Sequence, residues 1–188
     1  MITYLLDLAS IFDLSPLEVY NSITSSLSRY YPPDKLVKIV MDNFDIKNIK
    51  PFPDFLYLDE LSYRGRILVI TNLPKIDVKI QLMRYNIDVF IQDVISPEDT
   101  GNYFPSREIL TYISKRYNTS LATVAFITPN VEYALFTSSL GIRTILLIKN
   151  KNSQLPKVES RRSLKELVEI TAQHNVDSLM GDSSLRCT

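Results

Sequence analysis

The chain has 188 residues, 45% of them hydrophobic, and its basic and acidic side chains balance at 21 each. That size supports a full core, most simply one globular domain with a small insert. The balance excludes a global field that would draw the protein to nucleic acid or to an anionic membrane, so neither is expected as a partner.

The longest apolar runs are strand-sized, well short of the roughly 20 residues a membrane-spanning helix needs. The first residues carry no basic region and no small-residue cleavage site. A single cysteine, Cys187, excludes an intrachain disulfide and a multi-cysteine metal site and fits a reducing compartment, so a cytoplasmic location is expected. With four glycines in the whole chain, a Gly-rich phosphate loop is nearly ruled out.

In chain order, residues 2–6 (ITYLL) read as a buried strand that delivers Asp7 to its carboxyl end. Ser15, Pro16 and Glu18 read as a capping box with proline at the first helical position, opening a helix towards Arg29. Residues 30–33 (YYPP) break it, and residues 34–44 read as a second helix with Leu36, Val37, Ile39 and Val40 inward. The two helices are candidates for a short cap-like insert over residues 14–50, leaving residues 1–13 and 51–174 as the core.

Residues 53–65 carry Phe55, Leu56, Leu58 and Leu61 at near-helical spacing and end at Gly65, suited to a left-handed cap. Further strands are expected over residues 66–71, 88–91, 123–128 and 143–148, and helices over 76–85, 106–117, 130–140 and 163–174. Residues 149–162 read as a polar, basic surface loop and residues 175–188 as a flexible tail. His174 suits the dipole at the end of the last helix. The alternation specifies an α/β fold: a small, doubly wound, Rossmann-like parallel sheet of about five strands covered by helices on both faces.

In open parallel sheets, chemistry collects at the carboxyl ends of the strands. The residues there are Asp7, then Thr71 and Asn72, then Thr128 and Pro129. Asp7 is the candidate catalytic residue, and Thr71 and Asn72 are candidates for binding substrate. Structural roles compete with these: Asp7 can accept hydrogen bonds from the backbone of the next turn, and Thr71 and Asn72 can cap the helix beginning near Ile76.

Three stretches in the right order carry a resemblance: IKPFPDFLYLDELSYRGRILVITNLP (49–74), FIQDVISPEDTGNYFPSREIL (90–110) and VAFITPNVEYALFTSSLGIRTILLI (124–148). With the first strand and Asp7, they resemble the haloacid dehalogenase-like (HAD) hydrolase superfamily over roughly residues 2–170. That resemblance implies a first motif Asp-x-Asp-Gly-Thr, its first Asp the nucleophile and its second the general acid and base. Here the motif reads DLASI, so Asp7 matches the nucleophile while Ala9, Ser10 and Ile11 replace the rest. Thr71 matches the hydroxyl residue that holds a phosphoryl oxygen. The family's Lys before Pro falls on Phe104, with Pro105 retained, and its late acidic positions fall on Thr128, Pro129 and Tyr133.

In the family, Mg²⁺ sits against the nucleophile, a backbone carbonyl two residues on and the late acids. Asp7 with the Ala9 carbonyl is a poor site for that hard ion. Loss of the general acid costs roughly 10² to 10⁴ in rate, and loss of the charge clamp on the phosphoryl group costs more. The dehalogenase branch does without the second Asp and the metal, but it also resembles the phosphatases in using the Lys that Phe104 replaces. Lys75, in the loop after Thr71, is a candidate to supply the missing charge. Glu132 and Asp99 lie near the expected site, out of place in this alignment. Aromatic replacements are expected to fill the old cavity, leaving a small or closed pocket.

The leading expectation is therefore a catalytically inactive HAD-like protein that acts as a binding, regulatory or structural subunit, with a protein partner or a homo-oligomer. The residues Tyr30 to Pro33 are one candidate contact surface. No metal or other cofactor is expected on this reading. The alternative is a divergent HAD-type hydrolase, a phosphatase or haloacid dehalogenase, with Asp7 as nucleophile and Mg²⁺ as its cofactor. A third reading is a small-ligand binder that uses the remodelled site.

Overall fold

The computed structural model describes residues 1–27, 29–32, 44–148, 155 and 158–169. Most of the expected second helix, most of the basic loop, His174, Cys187 and the tail lie outside the described residues.

The chain opens with β1 (Ile2–Asp7), a short 3-10 turn and β2 (Phe12–Asp13), followed by α1 (Glu18–Ser25). It continues through β3 (Lys50–Pro51), α2 (Leu58–Arg64), β4 (Gly65–Ile70), α3 (Lys75–Arg84) and β5 (Asp93–Ile95). Then come α4 (Arg107–Arg116), β6 (Val124–Thr128), α5 (Val131–Ser139), β7 (Arg143–Leu147), β8 (Glu159–Arg161) and a helical segment over 164–169.

Six strands form one parallel sheet in the order β5-β4-β1-β6-β7-β8. Successive side chains of a strand point to opposite faces, and here each face has its own core. Tyr4, Leu6, Ile67, Val69 and Ile127 pack on one side with Leu61, Val78 and Leu82. Leu5, Leu68, Ile70 and Phe126 pack on the other with Ile109, Leu110 and Ile113. Burial on both faces explains why the strands read as unbroken apolar runs. From β1 the chain builds outward through β4 to β5, then returns to β6 and builds the other way, so β1 and β6 flank the point where the winding reverses. Ligand crevices form above such a reversal.

Four sequence expectations need correction. The strand expected over 88–91 is a 3-10 turn, Asp88–Phe90, and the strand begins at Asp93. Val89 is exposed there, so the segment has no buried face to pair with, whereas Asp93 falls in register with Leu68. The capping box at Ser15 does not form: Ser15–Leu17 is a 3-10 turn with no side-chain cap, and the Asp13 carboxylate takes the Ser15 amide at 3.0 Å.

Gly65 is extended, with φ −179, and not a left-handed cap. Glycine fits there because an added Cβ would lie 2.4 Å from the Ile2 carbonyl oxygen, across the β1–β4 pairing. Finally, the sheet has a sixth strand, β8, within the stretch expected to be a surface loop.

Candidate functional site

A cleft of about 530 Å³ opens above the carboxyl ends of β1 and β4, within the range typical of small-molecule sites. Its floor includes Asp7, Ala9, Thr71, Asn72 and Phe104, and its sides include Asn130, Glu132 and Tyr133. α1 closes it with a polar ridge of Glu18, Asn21, Ser22 and Ser25, which share one helix face by their i, i+3, i+4, i+7 spacing. The three candidate residues read from the sequence, Asp7, Thr71 and Asn72, thus meet at one cavity. The sequence reading assigns no ridge residue to the site, and Glu18 only to a cap, although the ridge's spacing is readable once the helix is placed.

Asp7 is the last residue of the central strand and is 6% exposed. One carboxylate oxygen accepts from the Ala9 amide at 3.1 Å, and the other accepts from the Thr128 hydroxyl at 2.7 Å. The Thr128 oxygen in turn accepts from the Asn130 amide at 2.9 Å. A hydroxyl-to-carboxylate bond this short is charge-assisted, and hydrogen bonds to charged groups contribute about 1.5–3 kcal/mol each.

Thr71 and Asn72 do not cap α3, whose first turn follows Pro74 without a side-chain cap. The Thr71 hydroxyl accepts from the Leu73 amide at 3.0 Å. Asn72 instead holds Phe104, accepting from its amide and donating to its carbonyl, and also donates to the Tyr133 hydroxyl at 3.1 Å. Burial, and then the Asp7 and Glu132 carboxylates, push the Tyr133 phenol above its usual range, so it is neutral at physiological pH.

The expected small or closed pocket is not observed. Phe104 reaches the floor but is almost wholly buried, with its ring 4.8 Å from Tyr133, 5.4 Å from Phe126 and 5.8 Å from Phe136. The aromatic replacement extends the core downward and leaves the space between floor and α1 open. Tyr30 and Tyr31 are docked on the core: the Tyr30 amide donates to the Gly101 carbonyl at 3.0 Å and its ring meets Tyr103 at 5.8 Å, while the Tyr31 amide donates to the Tyr103 hydroxyl at 3.5 Å.

No Lys, Arg or His occurs among the described residues that line the cleft. Lys75 binds Asp99 at 2.7 Å, while Asp99 also accepts from the Ser96 amide; neither lines the cavity. Glu132 does line it. A Mg²⁺ ion, which the resemblance implies for an active hydrolase, needs several oxygen ligands with negative charge. Among the described residues, Asp7 accepts from a hydroxyl and an amide, with a neutral phenol close by, and no group of three or more acidic, His or Cys side chains is placed to hold a metal. The described residues do not fit that ion.

The open parallel sheet with its winding reversal below the cleft is the fold shared by haloacid dehalogenase-like structures. Solved structures agree. A dehalogenase crystallised as an intermediate complex is 15% identical with a TM-score of 0.76, the match covering 90% of this chain and 96% of that one. The L-2-haloacid dehalogenase of Xanthobacter autotrophicus is 12% identical with a TM-score of 0.75, over 92% and 99%. A HAD phosphatase of Thermococcus onnurineus is 17% identical with a TM-score of 0.67, over 91% and 98%. No family model and no curated protein matches the sequence. At these identities the likeness establishes the fold. No helix among the described residues is long and apolar enough to cross a membrane.

Proposed function

We propose that this protein is a HAD-fold binding or regulatory subunit whose cleft does not hydrolyse phosphate esters or haloacids, and that it works through a protein partner or a second copy of itself. On this reading residues 1–13 and 51–174 are its core unit and residues 14–50 its insert, and the contacts run through the insert or the face of the site.

The observation that carries this reading is the set of groups around Asp7. Where a hydrolase of this fold needs a general acid, a lysine and acidic metal ligands, this chain has Ala9, Phe104, Thr128, Pro129 and Tyr133. Thr128 donates to Asp7, Tyr133 is held by Asn72, and Phe104 is packed into the core. These three replacements are committed to bonds and packing of their own, and none of the five supplies an acid, a lysine or a metal ligand of the kind the reaction needs. The test is release of p-nitrophenol from its phosphate and of chloride from 2-chloropropionate, with and without Mg²⁺, by the wild type and Asp7→Asn. Equal background rates are expected; turnover lost in Asp7→Asn would falsify the reading. Light scattering and pull-down then report self-association and partner capture.

A divergent hydrolase is the second reading. It is supported by the position of Asp7 beside Thr71 at an open cleft, and by the hydrolases among the solved structures of the same fold. The same assay decides between the two.

A further inference from the structure

The geometry points to the outer face of α3 as a self-contact, on which two copies of this chain meet about a two-fold axis with their α3 helices antiparallel. The inference rests on the second-copy half of the proposed function and goes beyond it. It places the contact on neither the insert nor the face of the site, and it stands whether or not the cleft turns over a substrate.

Ile76, Ile80 and Met83 recur at i, i+4 and i+7 along α3 and so share one face. They are 64%, 48% and 60% exposed, and no other described helix exposes more than two large hydrophobic residues. Val78 and Leu82 already supply the face of α3 that packs on the core. Met83 also lines a hollow of about 220 Å³ together with Leu82, Ile91 and Val94, and Val89, on the turn that follows the helix, is 72% exposed. An apolar stripe that runs into a hollow is the kind of surface that marks a contact site.

The charges beside the stripe select its occupant. Asp77 and Arg84 each follow a stripe residue by one position, which sets both on the same flank, Asp77 in the first turn and Arg84 in the last. Neither belongs to an ion pair among the described residues. A guanidinium has five N–H donors, and the contacts of Arg84 with the Lys47 carbonyl at 3.0 Å and the Gln81 side chain at 3.3 Å both use Nη1. Burial, and then the like charge of Glu98, raise the Asp77 pKa, and a guanidinium is the group that offsets both.

A two-fold axis across the stripe makes that pairing twice. It sets Ile80 of one copy against Ile80 of the other, and brings Ile76 to Met83 and Asp77 to Arg84, all within about 1.5 Å along the helix. One flank thus supplies both halves of each ion pair. A surface that matches itself in this way fits a second copy, since an isologous contact demands self-complementarity.

The experiment is sedimentation velocity and light scattering of the full chain over a concentration series reaching about 100 µM. The wild type is expected to pass from monomer to dimer. Ile80→Glu, which sets two carboxylates face to face at the axis, is expected to weaken the dimer at least about tenfold. Asp77→Arg and Arg84→Asp, each of which leaves like charges facing twice, should do the same. An equimolar mixture of those two variants should restore the dimer, as should the double variant, because opposite charges then face each other again. Thermal unfolding of the dilute proteins checks that each variant folds, and the mixture and the double variant keep the test open if Ile80→Glu does not.

A wild type that stays monomeric overturns the inference and leaves the partner-protein half of the proposed function standing. A dimer that none of the variants weakens overturns it too, and returns the self-contact to the insert or the face of the site. Weakening by the single charge variants with no recovery in the mixture overturns the antiparallel pairing. Asp7-dependent turnover in a dimer that meets these expectations removes the proposed function alone.

Discussion

Asn72 clasps the backbone of Phe104 from both sides, its carbonyl oxygen accepting from the Phe104 amide at 2.7 Å and its amide nitrogen donating to the Phe104 carbonyl at 2.7 Å. The end of β4 is thereby tied to the loop that leads into α4. Asn72→Ala strands a backbone donor and acceptor and releases the Tyr133 hydroxyl. A loss of roughly 2–4 kcal/mol in urea unfolding is expected. Asn72→Asp keeps the acceptor but sets an acceptor-only carboxylate oxygen against the Phe104 carbonyl, so it should not recover the wild-type stability.

Phe104→Ala empties a site packed against Phe126, Tyr133 and Phe136 and should cost about 3–5 kcal/mol. Phe104→Leu should cost much less. A loss below about 1 kcal/mol for the alanine variant would show that the ring is not a core element.

Gly65→Ala puts a methyl group 2.4 Å from the Ile2 carbonyl, at the first rung of the β1–β4 ladder. Either strand must shift, at an expected cost of about 1–3 kcal/mol. Denaturant unfolding measures it, and a neutral result would mean that the strands are spaced more widely than described.

Asp93 gives a pH prediction. Burial raises its pKa, but the hydrogen bond from Tyr117, the Val94 amide and the charges of Lys75 and Lys79 outweigh it and hold the carboxyl below its usual range. A carboxyl depressed in the folded state adds stability above its unfolded pKa, and that stability is lost as pH falls through the folded value. Tyr117→Phe removes the strongest of the lowering contacts. The variant should be less stable than wild type at neutral pH, and the difference should shrink under acid, below the ordinary carboxylate range. A gap of constant size from neutral pH to pH 3 would contradict this role for Tyr117.

How legible the molecule is in its sequence depends on whether an element announces itself by burial. β1, β4, β6 and β7 are buried on both faces, and their β-branched runs are readable. β8 has the sequence Glu-Ser-Arg and is a strand only because β7 offers it an edge, which no local pattern encodes. Asp88–Phe90 has strand-like residues but no partner at that register. A capping box does exist, at Ser96 and Asp99, while at the more obvious one the Ser15 amide is taken by Asp13.

At the site, Asp7, Thr71 and Asn72 are legible because strand ends can be placed from the apolar runs before them. The use of each is not. The partner of Asn72 is Phe104, 32 residues on, and a partner of Asp7 is Thr128, 121 residues on. Such pairings arise from sheet order, which only the fold supplies.

The small ribbon of β2 and β3 bears on how this protein could change. Phe12 pairs with Pro51 and Asp13 with Lys50, so the ends of the intervening segment are joined, although that segment also sends Leu17, Tyr20, Ile46 and Ile49 into the core. Whatever is spliced between those two rungs has its ends already joined, and each doubling of its length adds only about 0.6 kcal/mol of closure cost. The length between the rungs is therefore free to vary as long as Leu17, Tyr20, Ile46 and Ile49 stay to cover that face of the sheet.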